Sequence, residues 1–147
     1  MTPHLVLRVV TKTLLSPIIL FAFYVQFHGD FGPGGGFQAG VIFAVAIILY
    51  GLVFGLDLVM RIFTPRVVQI FMALGVVIYA GVGYVTMYMG GVFLDYDALV
   101  PHDTHHAGQH YGILFVEMGV GITVAAVMIG IFYSFAGRNI EISDEDW

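Results

Sequence analysis

Cysteine is absent from the 147 residues, tryptophan occurs once, and only five residues are lysine or arginine. Without cysteine the chain holds no disulfide, no thiolate zinc site and no cysteine-ligated iron–sulfur cluster. Five basic residues against ten acidic ones give a net charge of −5, so the basic footprint that nucleic-acid binding requires is missing. Charge of either sign is scarce, at 10% of residues, where a soluble domain carries about 25%. Segments of about ten residues alternating apolar and polar, the mark of a transmembrane barrel, are lacking too. Apolar residues of the AVILMFWYC set fill 59% of the chain, to which 19 glycines are added, and the mean hydropathy is +0.94. A soluble protein of this size has too much surface relative to volume to hide such a composition. The reading is an all-α integral membrane protein, embedded in the lipid bilayer, with no nucleic-acid partner.

Charged residues divide the chain. Thr13–Phe27, Phe31–Leu56, Val67–Leu94 and Met118–Gly137 carry none, and a spanning helix needs about 20 mostly apolar residues. Four spans are expected near residues 5–27, 36–56, 67–90 and 112–136, in a single membrane domain covering residues 1–147. The first contains Pro17, which predicts a kink, and opens with Arg8 and Lys12, long side chains that snorkel to the headgroups. A cleaved signal peptide is the rival reading of this end, but no small-x-small site follows the apolar run. Loop 57–66 and the ends of the chain hold all five basic residues, whereas loops 28–35 and 91–111 hold none. The positive-inside rule then places both termini, and the tail 137–147, in the cytoplasm.

Glycine is concentrated on helical faces. Gly36, Gly40 and Ala44 recur every fourth residue, followed by Gly51 and Gly55, and span four carries Gly119, Ala126, Gly130 and Gly137. Such stripes let helices approach closely where lipid gives no hydrophobic drive for association. They join either the chain's own helices or other subunits.

The stretch HGDFGPGGGFQAG, His28–Gly40, is the most distinctive. A phosphate loop of the Walker type needs a Gly-Lys-Ser/Thr ending, and no lysine lies nearby. Pro33 holds Gly32 away from the helical region while Gly34, Gly35 and Gly36 permit a tight turn, from which Phe37 starts the second span. A histidine closely followed by Pro-Gly-Gly-Gly-Phe at the head of a glycine-striped helix resembles the B-type component of the Mrp/Mnh-type multisubunit sodium/proton antiporters. The same domain is similar to the C-terminal part of some large antiporter subunits and to subunits of membrane-bound hydrogenases. The resemblance covers nearly the whole chain. Four residues separate His28 from Pro33 where the short form of the motif has two, and Ala39 stands where glycine is common. The resemblance implies a small, cofactor-free subunit of a bacterial cell-membrane complex that exchanges cytoplasmic sodium for external protons. Its implied partners are other subunits, including large ones related to the antiporter-like subunits of respiratory complex I. It does not imply an enzyme. The alternative is a purely structural scaffold subunit of a related complex such as a hydrogenase.

Three residues are candidates for an ion or proton path. Glu117 is the one acid inside a span, and with a helix starting near Gly112 it falls roughly 7–8 Å below the outer boundary. An ionisable group in the hydrocarbon region is a functional candidate by default, against the alternative of a hydrogen-bonded structural glutamate. His28 and Asp30, at the outer end of span one, form either a proton relay or the hydrogen bonds that fix the glycine turn. The second outer loop holds Asp95, Asp97, His102, Asp103, His105, His106 and His110. His106 and His110 have the i, i+4 spacing of a helical metal pair, but the loop carries no fixed ligand signature, so no metal is expected. Acids and histidines without lysine or arginine make both outer loops attractive to cations. Asp57 and Arg61 are expected to pair across one helical turn.

Overall fold

The computed structural model of the chain describes residues 5–29, 32, 34–100 and 107–138. These residues form helices α1 (Leu5–Phe27), α2 (Gly36–Phe54), α3 (Leu56–Ile62), α4 (Pro65–Tyr88) and α5 (Ala107–Ala136), with a short 3₁₀ turn at Tyr96–Leu99. No strand occurs among the described residues. Helices α1, α2, α4 and α5 are long and apolar enough to cross a membrane. The all-α membrane architecture expected from composition is therefore present.

Local chemistry sets the helix ends. Gly55 has φ 102°, a conformation that strains any residue with a Cβ, so α2 stops at Phe54 and the chain restarts as α3. A Cβ at Gly55 would meet nothing within 4 Å. This glycine therefore serves the backbone and not a packing stripe. Thr64 caps α4, its hydroxyl accepting from Val67 N–H at 3.4 Å, and Pro65 follows at the first helical position, where its missing N–H costs nothing. Helix α5 starts at Ala107, so Glu117 lies ten residues into it. On α3, Asp57 and Arg61 are both exposed, and among the described residues they form no ion pair. The expected pair is absent because an exposed ion pair gains too little to fix two long side chains.

Helix α5 lies between α2 and α4, and α1 packs mainly on α2 while also touching α5. The α2–α5 seam is parallel. A Cβ at Gly36 would overlap the backbone of Glu117, and one at Gly40 would stand 2.5 Å from the Gly121 carbonyl oxygen. The α4–α5 seam is antiparallel and is also built on paired glycines: a Cβ at Gly75 would lie 2.5 Å from Gly119 O, and one at Gly119 would lie 2.8 Å from Gly75 O. Ala44, Ile47, Val59, Val68, Ala126, Ile129 and Tyr133 form the buried core, and the Tyr133 hydroxyl donates to Phe63 O at 2.8 Å, tying α5 to the loop before α4. Outside this core Val6, Leu20, Tyr88 and Phe135 are each more than 70% exposed. Apolar surface on this scale requires lipid or partner subunits around it.

Thr86, fully buried on α4, organises the turn that follows. Its hydroxyl shares one proton between Gly83 O at 2.8 Å and Val92 O at 3.1 Å, and accepts from Leu94 N–H at 3.1 Å. Thr86→Val keeps the shape and leaves these backbone groups without that partner, at a cost of about 1–3 kcal/mol. A lower melting temperature of the purified protein is the expected result.

Candidate functional site

The glycine turn and the intramembrane acid, far apart in sequence, meet at one end of the bundle. Because α2 and α5 run parallel with Gly36 against the backbone of Glu117, the Glu117 side chain rises into the turn between α1 and α2. A Cβ at Gly29 would stand 2.8 Å from Glu117 Oε1, and one at Gly35 would stand at the same distance from that oxygen. Gly35 has φ 154° and precedes the first residue of α2. The carboxylate is thus roofed by bare backbone, and a side chain at either glycine would displace it. It also faces the start of α2, the positive end of that helix's dipole, where a negative charge is stabilised. Glu117 itself is half-buried. Its backbone is level with the first residue of α2, so the acid sits at the mouth of the bundle and not at its middle.

The other sequence candidates separate. His28 is exposed, and its ring stacks on Tyr24, centroids 4.1 Å apart with 25° between planes. It lines a hollow on the flank of α1 with Pro17, Leu20 and Phe21, while its neighbour Gly29 meets Glu117. The structure therefore brings Glu117 to the turn but places the His28 ring on the outer flank of α1. Asp30 and Pro33 lie outside the described residues, as do His102, Asp103, His105 and His106. Gly34 packs at the end of α1, where a Cβ would be 3.2 Å from Val25 Cγ1, and Phe37 is 63% exposed on the first turn of α2. Gly51 faces the Phe132 ring, whose Cε1 would lie 2.8 Å from an added Cβ. Among the described residues no group of three His, Cys, Asp or Glu converges as a metal site would need. In the loop after α4, Tyr96 seats its ring on Gly112 and its carbonyl on Gly108. Burial, and secondarily the neighbouring Tyr79, raise its phenol above the ordinary tyrosine range.

One polar residue at the site is not among the sequence candidates. Gln26, in the last turn of α1, lies beside Gly121, one turn beyond Glu117 on the same face of α5, where an added Cβ would be 2.7 Å from Gln26 Oε1. Its Nε2 is buried with no hydrogen-bond partner among the described residues. A lone amide near the end of the uncharged stretch Thr13–Phe27, two residues before His28, is the one signal that points to it. Among the described residues Gln26 is also the only polar side chain lining a cavity of about 320 Å³ that runs below Glu117, bounded by Gly40, Phe43, Met118, Gly121 and Ile129 among others. Such a lining cannot replace the hydration shell of an ion. Around this cavity, the polar side chains among the described residues are those at the mouth, Gln26 and, above it, Glu117 beneath the glycine turn.

A family model described as "Domain related to MnhB subunit of Na+/H+ antiporter" matches residues 6–130. The chain is 34% identical over 133 residues to a protein of Staphylococcus haemolyticus named "Putative antiporter subunit mnhB2", covering 90% of this chain and 94% of that protein. It is 35% identical over 133 residues to a protein of the same name from Staphylococcus aureus strain Newman, covering 85% of this chain and 94% of the relative. Bacterial relatives and four spanning helices make it a multi-pass protein of the bacterial plasma membrane.

Proposed function

We propose, for a chain that belongs to the family of domains related to the MnhB subunit of Na+/H+ antiporters, that it is a small membrane subunit of a complex exchanging cytoplasmic sodium for external protons. The observation that carries its role is the Glu117 carboxylate seated under the backbone of Gly29 and Gly35. A carboxylate at the outer mouth, with cation-attracting loops above it, is the group in this chain suited to hold a sodium ion or pass a proton at an interface between subunits. The apolar cavity beneath it supports a route that reaches Glu117 along a neighbouring protein and not through this chain's own interior. The same apolar interior favours a second reading, a scaffold that touches no ion. The two readings part on whether Glu117 must ionise. Both termini lie in the cytoplasm on this proposal, consistent with the basic residues being confined to that side.

Purification through a tag on this chain in mild detergent tests the complex. Recovery together with two large antiporter-like proteins and several small ones is expected. Recovery of this chain alone would contradict the reading.

A further inference from the structure

At the membrane face opposite Glu117, α1 carries two cations one helical turn apart. Arg8 Cζ lies 5.7 Å, and Lys12 Nζ 5.5 Å, from the centroid of the same ring, that of Phe54 at the end of α2. Both are exposed, and among the described residues no carboxylate pairs with either. Ring contact orients a cation but does not neutralise it, and holding two over one ring brings like charges together. Their surroundings are apolar: Leu5, Val9 and Leu14 on the same helix are 47–57% exposed. Lys12 stands about 10 Å along the helix from Leu5, within a stretch long and apolar enough to span a membrane. A double positive charge with no carboxylate partner among the described residues, at the rim of a lipid-facing surface, suits an anion carried by the lipid itself.

We propose that the corner formed by Arg8, Lys12 and Phe54 binds the phosphate of an anionic phospholipid of the leaflet on that side. Arg8 and Lys12 donate to the phosphate oxygens, the planar guanidinium with two parallel N–H groups and the ammonium as a point charge. Phe54 holds both side chains at the α1–α2 seam, and the acyl chains lie along the exposed apolar face of α1. Charge complementarity selects the anionic headgroup. The apolar flank selects a lipid over a soluble phosphate.

The test uses the complex isolated in mild detergent, with retained phosphatidylglycerol and phosphatidylcholine counted by mass spectrometry. Arg8→Gln with Lys12→Gln is expected to lose one tightly held phosphatidylglycerol per copy of the chain and to bind that lipid about 30-fold more weakly, the effect of two basic residues near a membrane surface. Phosphatidylcholine retention should not change. Removing both charges can also disturb insertion, so Phe54→Leu, which keeps them, provides an independent arm and should weaken phosphatidylglycerol retention as well. Wild-type retention in Phe54→Leu would overturn the proposal, as would displacement of the lipid by millimolar inorganic phosphate. Loss of a partner protein from the double variant with phosphatidylglycerol retained would assign the pair to a partner's carboxylate and overturn it too.

Discussion

Gly36→Ala is expected to remove most of the assembled complex from the membrane, although it adds a single methyl group. That methyl would occupy the space of the Glu117 backbone, and neither α2 nor α5 can yield there without parting the seam that the two helices share. Gly40→Ala meets the Gly121 carbonyl oxygen at 2.5 Å and should behave in the same way. Overpacking of this kind costs about 1–3 kcal/mol, and one or two kcal/mol already shifts a folding equilibrium roughly 5- to 30-fold. Gly51→Ala should be milder, because the atoms it meets belong to the Phe132 ring and a Val59 methyl, which can move. Gly81→Ala has nothing within 4 Å and replaces a helix-interior glycine, so it should be neutral or gain up to about 1 kcal/mol. Recovery of the complex from membranes through a tag on this chain ranks the four. Equal recovery for Gly36→Ala and Gly81→Ala would show that the seam does not hold α2 to α5.

How much is legible in the residues alone differs between fold and site. Four spanning helices can be read because uninterrupted apolar runs of that length have one solution in a bilayer, with every backbone group bonded within its own helix. The stripe at Gly36 and Gly40 is also visible, but its partner is not. Small residues occur on several faces of the fourth span, and Gly121, the one that meets Gly40, is set apart from Gly119, which faces α4, only by packing. The position of Gly55 in the stripe looks like helix contact and is instead a backbone break, since φ leaves no trace in spacing. At the site, Glu117 and the glycine turn each stand out alone, one as the only acid in a span and the other as a run of permissive residues. That they form one structure follows from the parallel α2–α5 register, which the sequence does not encode locally. The orientation of His28 has a local signal in Tyr24 four residues earlier, the spacing that stacks two rings on one helical face. Gln26 is easily passed over because a single amide does not break a hydrophobic run.

Glu117→Gln should abolish most exchange while leaving the complex intact. The amide has nearly the same shape, so the fit beneath Gly29 and Gly35 is retained, and the helix seam at Gly36 involves only the backbone of residue 117. What disappears is the charge that the start of α2 is placed to stabilise and the ability to take up and release a proton. If the carboxylate holds the ion or proton, the rate should drop by at least about tenfold, more than 1.4 kcal/mol of lost stabilisation. Glu117→Asp keeps the acid on a shorter stem, farther from the turn, and should fall between the two. Glu117→Leu is less discriminating, since it sets an apolar branch against bare backbone and disturbs packing and charge together. A scaffold role predicts the reverse pattern, with Gln tolerated and Leu losing the complex.

The measurement that bears most directly on this account is sodium-driven proton movement in inverted membrane vesicles carrying Glu117→Gln, at complex levels matched to wild type. Exchange reduced at least about tenfold, with partial recovery in Glu117→Asp, is the predicted result. Wild-type exchange in Glu117→Gln at matched levels would remove Glu117 from the mechanism and leave this chain as a scaffold.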